Sequence, residues 1–234
     1  MELTALYYHS IETFLRIFLA HSTFKPCPWL ELSRVSNSSK FKKHIAELSL
    51  GNFNLSHGEC KEQEILLKLF YCINDIHIIQ GVPKTITNTE DANYLKEWIT
   101  WSARELLEVY DYNAYKHGLS LYSKPLKMEL QVTSTETIES ESETMVFIGK
   151  EYTTKGILWK KITQFASLGE RGIRIHILSM LIKNILVSGE HRYLNTPLDQ
   201  VFFVGSPPSA FSEKTNKNKF DLSISKSSMQ LGYD

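Results

Sequence analysis

The sequence predicts a mainly helical protein, a bundle of four or more helices with a small antiparallel β-sheet or hairpin in its carboxyl-terminal half, α+β overall. Three observations carry this. Apolar residues recur at steps of three and four over most of residues 1–120, the period of an amphipathic helix. After residue 120 the period shortens to two, the alternation of half-buried strands. The chain has 234 residues, 42% of them hydrophobic, enough for a sizeable core in one domain with an appended piece or in two small domains.

In chain order, a first helix falls over residues 5–20, with Leu3, Tyr7, Ile11, Phe14, Leu15 and Phe18 on its apolar side. His9, Glu12 and Arg16 make a second, polar stripe. It is read either as a solvated face or as a surface that meets the polar end of the central helix. The segment has no basic start and is interrupted by these three residues, so neither a signal peptide nor a membrane span is expected. Residues 22–37 read as a turn in which Pro26 and Pro28 oppose helix, with Trp29 and Leu30 packed on the first helix. Ser38 or Ser39 caps a short helix to Leu50 with Phe41, Ile45 and Leu48 inward. Its outer side carries Lys40, Lys42, Lys43 and His44, read as wet surface, with contact to phosphate as the alternative. A loop over 51–58 precedes a helix over 59–80 with Ile65, Leu66, Leu69, Phe70, Ile73 and Ile76 inward, ended by Gly81, Val82 and Pro83.

The central helix is expected over 88–118. Leu95, Trp98, Ile99, Ser102, Leu106, Val109, Asn113 and His117 share one side, Asn88 or Thr89 caps the start, and Gly118 supplies the stop. Strands follow over 126–133, 145–152 and 156–165, with the Ser-, Thr- and Glu-rich 134–144 as a mobile tip. A final helix over 169–188 turns Ile173, Ile177, Met180, Leu181, Asn184 and Ile185 inward and stops at Gly189. Residues 190–205 dock as a strand or irregular segment. The domain expectation is a bundle over 1–120, a sheet and final helix packed on it over 121–205, and a loosely ordered tail over 206–234.

Lysine plus arginine and aspartate plus glutamate number 26 each, so no whole-protein field draws nucleic acid or an anionic membrane, and any basic surface is local. Cys27, Cys60 and Cys72 form no Cys-x-x-Cys pair, which fits reduced thiols in a cytoplasmic protein. The dinucleotide, phosphate-loop, nucleophile-elbow and His-Glu-x-x-His motifs are all missing. A metal set from His9, Glu12 and His117 offers too few carboxylates for a bundle site, so neither metal nor cofactor is expected.

The most chemically capable stretch is the end of the central helix, Tyr112-Asn113-Ala114-Tyr115-Lys116-His117, where Asn113 and His117 stand one turn apart on one face. A helical bundle with a polar residue four residues before a histidine resembles the HEPN superfamily, small helical proteins that include ribonuclease toxins and non-catalytic relatives in prokaryotic defence and toxin–antitoxin systems. Its hallmark is an arginine, four to six residues, then a histidine, often with a polar residue straight after the arginine. Asn113 and His117 fit this pattern, and Tyr112 stands in the arginine's place. Tyrosine brings neither positive charge nor a bidentate grip on phosphate. The resemblance spans residues 1–120. It implies a binding or regulatory protein that interacts with RNA, with His117 and Asn113 in the catalytic positions and Tyr112, Lys116, His9, Glu12 and Arg16 available to RNA or a partner. Any surviving catalysis would be metal-independent ribonuclease chemistry. A second expectation is a non-enzymatic helical homodimer that meets a protein partner and has no nucleic-acid role.

Overall fold

The computed structural model describes residues 2–35, 38–55, 61–72, 77–79, 82–84, 89–107, 120–131, 137–153, 156–166, 168–198, 201–211 and 227–230, the strands as backbone alone. Among them are six helices: α1 (Glu2–His21), α2 (Pro28–Val35), α3 (Ser38–Ser49), α4 (Glu62–Tyr71), α5 (Thr89–Leu107) and α6 (Leu168–Leu194). The chain divides into a helical unit, residues 8–108 and 174–212, and a second unit, residues 1–7, 109–173 and 213–234. α1 and α6 each contribute to both units.

The core of the helical unit follows the apolar stripes. Ile11, Phe14, Leu15 and Phe18 of α1 are buried, as are Ile65, Leu66, Leu69 and Phe70 of α4. Phe70 joins the two helices, its ring 6.2 Å from Phe14 and 6.3 Å from Phe18. Phe41, Ile45 and Leu48 face inward on α3, and Leu95, Trp98, Ile99, Ser102 and Ala103 on α5. Each large apolar side chain sealed in this way contributes about 1.5–3 kcal/mol. On α6 the buried face is Ile177, Leu178, Leu181, Asn184, Ile185 and Ser188, whereas Ile173 is exposed. By length and hydropathy α6 also meets the criteria for a membrane span, and in this structure its apolar stripe is core.

Several elements depart from expectation. Residues 28–35 are helix: Pro28 occupies the first helical position, where its missing amide proton costs nothing. Trp29 and Leu30 do not pack down, being 71% and 52% exposed. Of the helix expected over 59–80 the described residues show α4, and Ile73 and Ile76 lie outside them. The Lys61 amide donates to Glu64 Oε2 at its start, and Cys72 ends it in the left-handed conformation at φ 51°. Beyond it two short strands pair antiparallel, β1 (His77–Ile79) and β2 (Val82–Lys84). α6 continues through Gly189, which is no stop. A Cβ there would lie 2.7 Å from His21 Cε1, so the glycine permits close approach of α1 and α6.

In the second unit, the first turn of α6 meets the first turn of α1: Arg171, buried, donates through Nη1 to Thr4 Oγ1 and lies 5.3 Å from the centre of the Tyr7 ring. The backbone of β3 (Ser120–Gln131), β4 (Thr137–Thr153), β5 (Gly156–Ala166) and β6 (Ser227–Gln230) pairs antiparallel in chain order. β4 takes in residues 137–144, read from sequence as a mobile tip, with Thr144 opposite Lys124 on one side and Phe165 on the other. β6 falls in the stretch read as a loose tail, and pairs Ser227 with Thr163.

Candidate functional site

The sequence-derived site residues divide into two groups. Tyr112, Asn113, Lys116 and His117 lie outside the described residues. His9, Glu12 and Arg16 are on α1, with His9 exposed. Arg16 donates through Nε and Nη2 to Glu12 Oε1 at 3.1 and 2.8 Å, and its guanidinium lies 4.1 Å from the centre of the Phe41 ring. The stripe is therefore an ion pair resting on α3, with Arg16 Nη1 buried and without a hydrogen-bond partner among the described residues.

Arg16 and His21 also stand in the order arginine, four residues, histidine. Five helical steps place them about 140° apart around α1, and their surroundings differ accordingly. His21 is 7% exposed, packed on Gly189 and 6.3 Å from the Tyr193 ring. Burial, and secondarily the Arg192 guanidinium, push its pKa down to about 4, so it is a neutral imidazole at pH 7. Within one chain these two side chains do not converge on a phosphate.

A more open arrangement lies on α5. A cavity of about 480 Å³ is lined by Lys96, Glu97, Thr100, Trp101 and Arg104 of α5, with Gly51, Phe53, Pro208 and Ser209 from two other segments. Helical spacing puts Lys96, Thr100 and Arg104 one turn apart. Trp101 stands edge-on to the buried Trp98, ring centres 5.3 Å apart, and the Arg174 guanidinium lies 4.6 Å from its own ring centre. Arg104 Nε donates to the Ser49 carbonyl at 2.9 Å, holding the exposed guanidinium at the rim. Lys96 pairs with Glu62 at 2.5 Å and lies 5.4 Å from the Phe53 ring centre. Glu62 offsets much of the Lys96 charge, which leaves Arg104 as the stronger anchor for an anion.

A second cavity, of about 450 Å³, carries Arg34, Lys40 and His44, together with Glu31 and Glu47. Its charges are largely committed to one another. The buried Glu31 carboxylate takes both Lys25, at 3.2 Å, and Arg34, and Glu47 lies 3.9 Å from His44. No group of three or more metal-binding side chains occurs among the described residues.

The sequence reading named none of Lys96, Trp101 and Arg104 as a site residue. The signal was there: Trp101 falls off the stripe of Leu95, Trp98, Ile99 and Ser102 and has an arginine three residues on. Comparison with protein-family models, curated proteins and solved structures finds no match to this chain.

Proposed function

We propose that this chain is a non-catalytic, HEPN-like binding and regulatory protein that interacts with single-stranded RNA, and that the α5 cavity is where its helical unit receives the RNA. The fold in this reading is α+β, a helical bundle with an antiparallel sheet. The observation that supports it is the meeting of an aromatic ring, Trp101, with Arg104 and Lys96 at the edge of one cavity. An unpaired base offers a π-face to an aromatic side chain and a phosphate to a cation, and stacking is worth about 1–3 kcal/mol per base. Arg104 also brings the planar donor fork suited to phosphate, which Tyr112 lacks at the motif position. The bacterial defence or toxin–antitoxin setting rests on the HEPN resemblance.

The test is binding of a labelled single-stranded oligouridylate to the wild type, Trp101→Ala and Arg104→Ala, with folding checked by circular dichroism. We expect a loss of about tenfold for each variant, in line with one stack or one phosphate contact. Equal binding by all three folded proteins would contradict the reading. An assay of RNA cleavage beside it, with His117→Ala, is expected to show no activity attributable to His117.

A second reading is favoured by Trp29 and Leu30, neighbours on α2 and both more than half exposed. Such a pair suits a homodimer or protein contact. A Trp29→Ser chain that sediments as a monomer while the wild type is a dimer supports it, and a monomeric wild type removes it.

A further inference from the structure

Residues 201–211 form a strap whose main chain is held by side chains from three helices. Asn184 of α6 is 1% exposed and makes two bonds to Phe202, its Nδ2 donating to the carbonyl at 2.6 Å and its Oδ1 accepting from the amide at 2.8 Å. Tyr71 of α4 accepts from the Val204 amide at 3.3 Å. Trp98 of α5 donates through Nε1 to the Ser206 carbonyl at 3.0 Å. The anchored residues are 202, 204 and 206, the interval at which an extended chain shows the same edge. Between them Phe203 packs on Tyr71, ring centres 4.7 Å apart, and Val204 is buried. The strap then enters a short 3-10 turn, Pro208–Phe211, whose Phe211 ring centre lies 5.9 Å from that of Trp98.

This clamp has a consequence for the α5 cavity, because Pro208 and Ser209 are part of its wall. Trp98 links the two places, bonding the strap at Ser206 and meeting Trp101 inside the same helix. A strap held by a few side chain to main chain bonds can release as one piece with a smaller free energy than the bundle needs to unfold. Release would remove one side of the cavity and leave Trp101 and Arg104 on an open helix face.

We infer that Asn184, Tyr71 and Trp98 are positioning residues for the α5 cavity, clamping the 201–211 strap so that Pro208 and Ser209 close it over single-stranded RNA. The inference rests on the RNA reading of that cavity. Strap docking and RNA binding then favour each other, and the coupling is reciprocal: RNA slows strap release, and loosening the strap weakens RNA binding.

The experiment is amide hydrogen exchange on the full chain, with and without saturating hexauridylate, on the wild type, Asn184→Ala and Tyr71→Phe. Titration of hexauridylate accompanies it. Saturating hexauridylate is expected to slow exchange of the Phe202 and Val204 amides by about tenfold in the wild type. Asn184→Ala is expected to speed that exchange and weaken hexauridylate binding by about tenfold, with α5 residues 95–103 as protected as before. Tyr71→Phe removes one acceptor and keeps the ring, which makes it the variant to use if Asn184→Ala does not fold; about a fivefold effect is expected for one hydrogen bond. A purely structural clamp would leave strap exchange indifferent to hexauridylate.

Hexauridylate that binds the wild type without slowing strap exchange, or binds a loosened variant equally well, overturns the clamp and leaves the RNA reading standing. A wild type that does not bind hexauridylate at all overturns both.

Discussion

Asn184 and His21 are both buried polar side chains at the packed faces of α6, and their environments are opposite. Asn184 gives and receives one hydrogen bond each with the Phe202 main chain. His21 Nδ1 has no hydrogen-bond partner among the described residues, and its ring lies where a side chain at position 189 would be. A satisfied buried polar group fixes a neighbouring segment in one place, and an unsatisfied one is tolerated by staying neutral. α6 thus carries a positioning contact where Asn184 holds the strap and a point of weakness where His21 of α1 packs on Gly189.

The largest effect should come from breaking the satisfied side. Asn184→Ala leaves the amide and carbonyl of Phe202 without their partner, and a loss of about 3 kcal/mol is expected in urea unfolding of the full chain. A loss below about 1 kcal/mol would mean that water replaces the side chain and that the strap is loosely held.

Acid should act on the unsatisfied side. His21 has its folded pKa lowered to about 4 by burial and by Arg192, from about 6.5 in the unfolded chain. Between these values the unfolded state binds more protons, so stability falls as pH drops through 6.5 and the loss is complete near pH 4. Its size is at most about 3 kcal/mol. His21→Gln should flatten this part of the stability profile, and an unchanged profile would show that His21 is solvated in the native state.

Two glycines of the same helix sharpen the contrast with opposite signs. Gly189→Ala drives a Cβ to within 2.7 Å of the His21 ring, and overpacking of this kind costs about 1–3 kcal/mol. Gly172 has nothing within 4 Å of the same added atom, so Gly172→Ala should stabilise by about 0.5–1 kcal/mol through helix propensity. Thermal unfolding of the pair reads both. The smallest effect belongs to Glu12→Ala. The Glu12–Arg16 pair is partly solvated, at 20% and 25% exposure, and such pairs are worth about 0.5 kcal/mol.

What was legible in the sequence was local. The stripes on α1, α3 and the first two-thirds of the central helix are periodic patterns that do not depend on distant partners, and they bury the residues expected except Leu3 and Leu106, which are half-buried. Asn184 was correctly placed inward by the same arithmetic. Pro28 and Gly189 were misread because each residue has two structural uses. Proline breaks a helix interior and starts a first turn, and glycine ends a helix or lets two helices touch. Only the position of His21 on another helix decides the second case. The α5 cavity was not legible because its walls come from residues 51–53, 96–104 and 208–209, whose proximity is a product of the fold. The polar groups of residues 112–117, by contrast, are adjacent in the chain and stand out without knowledge of the fold.

Contact between RNA and Trp101 at the α5 cavity can be read by photocrosslinking. A single-stranded oligonucleotide carrying 4-thiouridine would be irradiated with the wild-type protein and the modified peptide located by mass spectrometry. Crosslinks are expected on Trp101 or Phe53, both in the cavity lining, and should fall with Arg104→Ala. Crosslinks confined to the peptide containing residues 112–117 would place RNA at the other end of that stretch of chain and contradict it, as would the absence of any crosslink under conditions in which binding is seen.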